Sequence, residues 1–178
     1  MTTIADKLQQ VQHRVAQACE RAGRDPASVL LLAVSKTFGP DAVLEAARAG
    51  QHAFGENYLQ EAVEKMAALR QMGAPTLQWH CIGPVQSNKT RLVAEHFDWM
   101  HTVDRLKVAQ RLSEQRPAHL PPLQVCIQIN VDGGANKSGV APQEALALAQ
   151  SVAVLPQLCL RGLMSIPEPA TGFDAQYA

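Results

Sequence analysis

Val29-Leu30-Leu31-Leu32-Ala33-Val34-Ser35-Lys36-Thr37 begins with six apolar residues in a row and ends in a serine, a lysine and a threonine. Pro26 precedes the run and Gly39-Pro40 follows it, so the apolar segment is too short for a helix. We interpret it as a strand buried on both faces, which is typical of a parallel sheet covered by helices. It therefore predicts an α/β fold whose first strand ends at Lys36.

The lysine after this strand has two interpretations. Lys36 can extend from the strand end into water, as lysines beside apolar segments usually do. Alternatively, its amine lies in a pocket of low polarity and attacks a carbonyl carbon to form a Schiff base. The residues of this segment alone do not decide between the two.

The composition is that of one globular domain. The chain has 178 residues, and its 16 lysines and arginines balance 16 aspartates and glutamates. A net charge of zero argues against nucleic acid or an anionic membrane as the main partner. The apolar runs are too short to cross a bilayer, and the N-terminus lacks the features of a signal peptide. We therefore predict a single domain over residues 1–178, located in the cytoplasm and without membrane contact.

The cysteine and histidine patterns predict neither disulfides nor a metal site. The four cysteines are scattered and form no C-x-x-C pair, which is typical of reduced thiols in a cytoplasmic protein. The six histidines show no paired spacing of metal ligands. The sequence also lacks the glycine-rich signatures of nucleotide-binding loops.

Strand and helix patterns alternate along the chain. An amphipathic helix begins near Thr3 and ends at Gly23, and strand segments separated by helices follow it. The predicted strands are 29–34, 52–54, 77–82, 99–103, 123–131 and 158–164. Strict alternation predicts a parallel sheet. Two architectures fit it: an open doubly wound sheet, and a (β/α)8 barrel, which needs about two more βα units.

Polar and small residues gather after the carboxyl ends of these strands, where parallel α/β folds carry their sites. They include Lys36, Glu56, Asn57, His80, Gly83, His101, Asn130, Lys137, Met164 and Ser165. Some of them also have a structural explanation. Asn57 with Gln60 resembles a capping box for the following helix. A histidine inside a strand, such as His80, is usually a core residue with satisfied hydrogen bonds.

Five ordered motifs carry a resemblance to a known family. They are Leu31-Leu32-Ala33-Val34-Ser35-Lys36-Thr37, Phe54-Gly55-Glu56-Asn57-Tyr58, Trp79-His80-Cys81-Ile82-Gly83-Pro84-Val85-Gln86-Ser87-Asn88-Lys89, Lys137-Ser138-Gly139 and Arg161-Gly162-Leu163-Met164-Ser165-Ile166-Pro167. In this order the motifs resemble those of the pyridoxal phosphate homeostasis proteins of the YggS/PROSC type. The resemblance runs from the first helix to the last residue.

The resemblance implies a fold, a cofactor and a role. The fold would be the (β/α)8 TIM barrel of the alanine racemase N-terminal type. The cofactor would be pyridoxal 5′-phosphate, held by Lys36 as a Schiff base, with Asn57, His80, Gly83 and the Met164-Ser165 turn around its ring. The role would be to carry and buffer this form of vitamin B6 without catalysis. The partners would be the cofactor itself and the apo enzymes that accept it.

Further expectations concern the transfer of the cofactor, the oligomeric state and the number of βα units. We expect Lys137 to be a second amine that passes the cofactor on, and the protein to be a monomer. Family members continue beyond the last residue of this chain, so we expect about six βα units in place of eight. We also expect the segments that supply most of the phosphate contacts to be absent.

The alternative function is a racemase-like enzyme that uses the same cofactor. Racemisation needs acid and base groups on both faces of the substrate. In the racemases that share the implied fold, one of these groups is a tyrosine from a separate C-terminal domain. The sequence contains only two tyrosines, Tyr58 and Tyr177, and neither has a matching context. We therefore assign no catalytic residue.

Overall fold

A computed structural model describes residues 3–134, 138–169 and 171–177. Lys137, the predicted transfer amine, lies outside the described residues. The chain forms two compact units: Met1–Gly83 with His96–Trp99, and Pro84–Glu95 with Met100–Ala178. That residues 1–178 act as a single domain stays a prediction.

Strands and helices alternate through the first unit. Their ranges are α1 (Ile4–Arg21), β1 (Ala33–Val34), α2 (Pro40–Arg48), β2 (Ala53–Glu56), α3 (Leu59–Gln71) and β3 (Gln78–Cys81). β1 pairs with β2 and β2 pairs with β3, both in parallel. The register sets Val34 opposite Gly55 and Gly55 opposite His80. Because the strands are parallel, the residues that follow β1, β2 and β3 lie at the same end of the sheet.

The same alternation continues through the rest of the chain. The ranges are α4 (Thr90–His96), β4 (Trp99–Val103), α5 (Leu106–Gln115), β5 (Leu123–Gln128), α6 (Ala145–Ala153), β6 (Leu158–Met164) and α7 (Phe173–Tyr177). β5 and β6 pair in parallel with a bulge at Arg161, because Val125 faces Leu160 while the next residue, Cys126, faces Gly162.

The strand order distinguishes the two architectures left open by the sequence. The six strands belong to one sheet in chain order, β1-β2-β3-β4-β5-β6. A doubly wound sheet reverses its order at a switch point, whereas sequential neighbours are the arrangement of a (β/α)8 barrel. The predicted α/β fold is confirmed, and the described residues supply six strands of the barrel type.

The first strand differs from its prediction. The apolar run predicts six buried residues, but β1 contains only Ala33 and Val34, and Leu30 and Val34 are 63% and 47% exposed. Among the described strands β1 pairs only with β2, so its other edge has no strand against it. The prediction of a strand buried on both faces is therefore wrong. Hydrophobicity indicates which residues can be buried, while burial itself depends on neighbours on both sides.

The first helix begins as the sequence predicts. The Asp6 N–H donates to Thr3 Oγ1 at 3.1 Å, and the Thr3 N–H donates to Asp6 Oδ2 at 2.9 Å. These reciprocal bonds form a capping box that satisfies two otherwise free backbone donors. Hydrogen bonding of the Asp6 carboxylate, first to the Thr3 backbone N–H and second to the Thr3 side chain, lowers the pKa of Asp6. The start of α1 is thus determined by residues adjacent in sequence.

Candidate functional site at the strand ends

Lys36 lies in a tight turn directly after β1. The Phe38 N–H donates to the Ser35 carbonyl oxygen at 3.1 Å and closes a turn with Lys36 and Thr37 at its centre. Thr37 has φ = 67°, in the left-handed region that β-branched residues rarely adopt. Lys36 itself is exposed. The structure thus favours a side chain that extends into water, and the described residues do not enclose it in a pocket of low polarity.

A buried ion pair contacts this turn. Lys65 of α3 and Glu56 of β2 are 5% and 0% exposed, and Lys65 Nζ lies 2.7 Å from Glu56 Oε1. The Ser35 hydroxyl donates to the same carboxylate oxygen at 2.6 Å. Lys65 Nζ also donates to the Ser35 carbonyl oxygen at 2.8 Å. The ion pair is therefore bonded to the residue before Lys36 through both its backbone and its side chain.

Glu61 connects the same network to the residue after Lys36. Its Oε1 accepts the Thr37 N–H at 3.2 Å and a bond from Lys65 Nζ at 3.3 Å. Glu61 and Lys65 are one helical turn apart on α3, so both side chains extend from the same face. The turn that carries Lys36 is thus bonded to α3 on both sides.

Gly83 lies against the backbone of Asn57. A Cβ at Gly83 would be 2.5 Å from the Asn57 carbonyl oxygen and 2.7 Å from its Cα. Asn57 Oδ1 is buried and has no hydrogen-bond partner among the described residues. α3 has Tyr58 at its N-cap, and no side chain caps it. The prediction that Asn57 and Gln60 form a capping box is therefore wrong, and the Asn57 amide oxygen can still accept a hydrogen bond.

His80 belongs to the core of the first unit. It is 1% exposed, and its ring stacks on Trp99 with centroids 5.3 Å apart and 12° between the planes. Its Nε2 lies 3.0 Å from Gln78 Oε1. These contacts are those of a core histidine with a hydrogen-bonded ring nitrogen. A place for His80 beside a cofactor stays a prediction.

The second unit carries the remaining predicted residues. Met164 ends β6 and is half-buried, and Ser165, which follows it, is exposed. Asn130 organises the loop after β5: its Oδ1 accepts the Gly133 N–H at 3.1 Å, and its Nδ2 donates to the Gly134 carbonyl oxygen at 2.9 Å. Asn130 therefore has a local structural role in this loop.

The described residues give no sign of a metal or membrane site. They contain no group of three histidine, cysteine or acidic side chains that could hold a metal ion. No helix within the described ranges is long and apolar enough to cross a bilayer. Cys19, Cys81, Cys126 and Cys159 are free. Burial raises the pKa of the Cys81 thiol to about 12, so the reactive thiolate is disfavoured there.

The residues at the strand ends are marked in the sequence, whereas those that hold the Lys36 turn are not. Glu61 and Lys65 lie inside α3, where no loop or motif marks them. A signal for Lys65 is nevertheless present, because it falls on the buried face of α3 together with Ala62, Met66 and Leu69. A lysine on such a face needs an acidic partner in the core.

The amino-acid sequence is similar to those of proteins whose family is known. The alanine racemase N-terminal domain family matches residues 7–178. The pyridoxal phosphate homeostasis protein of Pseudomonas aeruginosa is 60% identical over 178 residues, which cover 100% of this chain and 76% of that protein. The protein of the same name from Escherichia coli K12 is 53% identical over 177 residues, with 99% and 76% coverage.

Solved structures agree with the sequence comparison. An unknown protein from Bifidobacterium adolescentis has a TM-score of 0.85 and 32% identity, and the match covers 95% of this chain and 71% of that one. PipY of Synechococcus elongatus, solved with PLP bound, has a TM-score of 0.73 and 37% identity, with 88% and 72% coverage. The chain therefore belongs to the pyridoxal phosphate homeostasis protein family, with the alanine racemase N-terminal domain as its fold.

Proposed function

We propose that this protein binds pyridoxal 5′-phosphate through Lys36 and carries or buffers it without turning over a substrate. The observation that carries the proposal is the Lys36 turn, in which an exposed amine follows β1 and both flanking residues are bonded to α3. The PLP in the PipY structure and the names of the curated relatives support the choice of cofactor.

The described residues fit such a cofactor. Pyridoxal phosphate supplies an aldehyde, which a primary amine converts into an imine as one water molecule leaves. Lys36 supplies an accessible amine. Asn57 supplies a buried amide oxygen that has no partner among the residues the structure describes, and a ligand donor would satisfy it. Gly83, which has no room for a Cβ, lets two backbone segments approach closely beside Asn57.

Other predicted contacts rest on the resemblance to the family. We propose that His80 and the Met164-Ser165 turn contribute to the surroundings of the cofactor ring. For Lys137, which lies outside the described residues, we propose a role as a second amine during transfer. The Lys137→Ala protein should then release cofactor to an apo enzyme more slowly than the parent, and release at the parent rate would refute this role.

We propose a carrier rather than an enzyme. The ionisable side chains bonded to the Lys36 turn are Glu56, Glu61 and Lys65, and each is engaged with the others or with the backbone. A racemase-like activity would exchange the substrate Cα proton with solvent. We expect the loaded protein in D2O to exchange the Cα proton of alanine no faster than free cofactor does. Faster exchange would favour the racemase alternative.

The cellular setting is a separate part of the proposal. We propose that the protein works in the cytoplasm as a monomer and gives its cofactor to apo enzymes that require it. The free cysteines support a reducing compartment.

Equilibrium dialysis tests cofactor binding directly. The parent chain, Lys36→Ala and Lys107→Ala are dialysed against pyridoxal 5′-phosphate; Lys107 is a second exposed lysine and serves as the matched control. We expect the parent and Lys107→Ala to bind about one equivalent each, because the proposed site offers one amine, and Lys36→Ala to lose most of this binding. Equal binding by the two variants would overturn the proposal.

A further inference from the structure

Lys65 uses its full hydrogen-bonding capacity on the surroundings of one turn. An ammonium group has three donors. Those of Lys65 reach the Ser35 carbonyl oxygen at 2.8 Å, Glu56 Oε1 at 2.7 Å and Glu61 Oε1 at 3.3 Å. Each acceptor either belongs to the Lys36 turn or is itself bonded to it. The ammonium is therefore the centre of the network, and Lys36 lies between its two points of attachment.

Stability alone does not account for a buried charge at this place. Removing a lysine and a glutamate from water costs free energy that their attraction often returns only in part, and apolar residues of similar size often serve as well. What such a network does provide is one defined geometry, because all three donors of the Lys65 ammonium have a fixed acceptor; the second carboxylate oxygen of Glu56, Oε2, has none among the described residues. The geometry fixed here is that of the residues on each side of Lys36.

The backbone of the turn is strained, and the network holds it. Thr37 keeps φ = 67° although it is β-branched. Such a conformation persists only where the surroundings determine it. The Phe38 bond to the Ser35 carbonyl and the Glu61 bond to the Thr37 N–H constrain the turn from both ends.

We propose that Lys65, with Glu56 and Glu61, is a positioning residue that fixes the Lys36 turn, so that the Lys36 amine meets the cofactor aldehyde from one direction. This inference rests on the proposed function. In this role Lys65 acts through Ser35 and Thr37, to which its network is bonded, and not by contact with the cofactor.

A first experiment needs no cofactor. Amide hydrogen exchange is measured by NMR on the parent, Glu61→Ala and Glu61→Gln. In Glu61→Ala the Thr37 amide loses its acceptor, whereas glutamine keeps an oxygen that can accept it. We expect the Thr37 and Phe38 amides to exchange about tenfold faster in Glu61→Ala, and Glu61→Gln to remain close to the parent. If the Phe38 amide is unchanged in Glu61→Ala, Glu61 does not hold the turn and the proposal fails.

A second experiment adds pyridoxal 5′-phosphate. The double variant Glu56→Gln/Lys65→Met removes both buried charges together, so neither is left unpaired; Lys107→Met is the control. We expect Lys36 to remain the modified residue, the imine to form about tenfold more slowly, and the visible circular dichroism per unit absorbance to fall. A cofactor held in several orientations gives that weaker signal.

The outcomes separate the two proposals. An unchanged rate and an unchanged dichroism ratio, with the adduct still on Lys36, would overturn the positioning role and leave the proposed function intact. A parent chain that forms no Lys36 adduct would overturn both. Far-ultraviolet circular dichroism shows whether the double variant folds. If it does not, the same cofactor measurements are made on Glu61→Ala and Glu61→Gln. A slower imine formation and a weaker dichroism in Glu61→Ala but not in Glu61→Gln support the positioning role, and equal values in the two variants refute it.

Discussion

Thr37 holds a costly backbone conformation beside the lysine on which the proposed function depends. A left-handed conformation costs an ordinary residue about 1–2 kcal/mol, and threonine is among the residues least suited to it. Glycine is the usual residue at this position of a turn. Thr37 therefore keeps its conformation at the expense of stability, which is common at functional sites.

Replacing Thr37 by glycine should stabilise the protein. We expect Thr37→Gly to raise the free energy of unfolding by about 1 kcal/mol, because glycine removes the clash of the Cβ at φ = 67°. Urea unfolding measures the change. Thr37→Ala keeps a Cβ in the same conformation and should gain little. A loss of stability in Thr37→Gly would show that the turn is not strained.

At Gly83 a glycine is required because there is no space for a side chain. We expect Gly83→Ala to lower the free energy of unfolding by about 2–3 kcal/mol, since the new Cβ would lie 2.5 Å from the Asn57 carbonyl oxygen and the backbone would have to move. Gly39→Ala is the control: no atom lies within 4 Å of its Cβ, and the loss of a glycine N-cap should cost at most about 1 kcal/mol. Equal losses in urea unfolding would contradict this account of Gly83.

At the residue scale, the sequence predicts positions better than partners. Lys36, Asn57 and Gly83 follow parallel strands, as their motifs predict. The roles of Asn57 and Lys65 could not be read in the same way. Capping by Asn57 depends on the exact backbone angles at the helix start. The acidic partner of Lys65 is Glu56 of β2, which lies outside α3 and therefore outside the apolar pattern that predicts this helix.

At the element scale, β1 shows that an apolar sequence and a buried strand are different things. The segment is the most apolar of the chain's strand patterns, yet only Ala33 and Val34 pair as a strand. By contrast, the predicted ranges of β4 and β6 match the structure at both ends. Strand type follows from local pattern, whereas strand length follows from the neighbours available for pairing.

Truncation of leucines in two strand segments tests this difference. Leu30 is mostly exposed, and Leu123 of β5 is fully buried. We expect Leu30→Ala to change the free energy of unfolding by less than about 0.5 kcal/mol and Leu123→Ala to lower it by about 2–5 kcal/mol. Chemical denaturation of both variants gives the comparison. A large loss in Leu30→Ala would mean that the first segment is buried in solution as its sequence predicts.

At the scale of the whole molecule, two kinds of information in the sequence act together. Alternation of strand and helix patterns predicts the parallel α/β class, and the strand order then selects the barrel type. The order of the five motifs identifies the family, which the relatives confirm over the full length of the chain. Neither kind of information contains the contacts of Lys65, because these arise only after the strands and helices have packed.

The stability of the molecule should depend on pH through His101. Burial lowers the pKa of His101 in the folded chain. Below a pH of about 6.5, the unfolded chain therefore binds more protons at this site than the folded chain does. The stability that comes from keeping His101 neutral in the folded chain is present above that pH and is lost as the pH falls. We expect the thermal midpoint to decrease on acidification, and to decrease less in His101→Gln.

His119 provides the matched control for this measurement, because it is exposed. His119→Gln should follow the parent curve over the same pH range. If His101→Gln and His119→Gln show the same pH dependence, His101 does not contribute to it.

Reductive trapping tests the central claim, that Lys36 holds the cofactor, most directly. The 178-residue chain is incubated with pyridoxal 5′-phosphate, reduced with borohydride, digested and mapped by mass spectrometry. We predict a single major adduct on Lys36, which is absent from Lys36→Ala. Adducts scattered over many lysines, or an equal yield from Lys36→Ala, would contradict the claim.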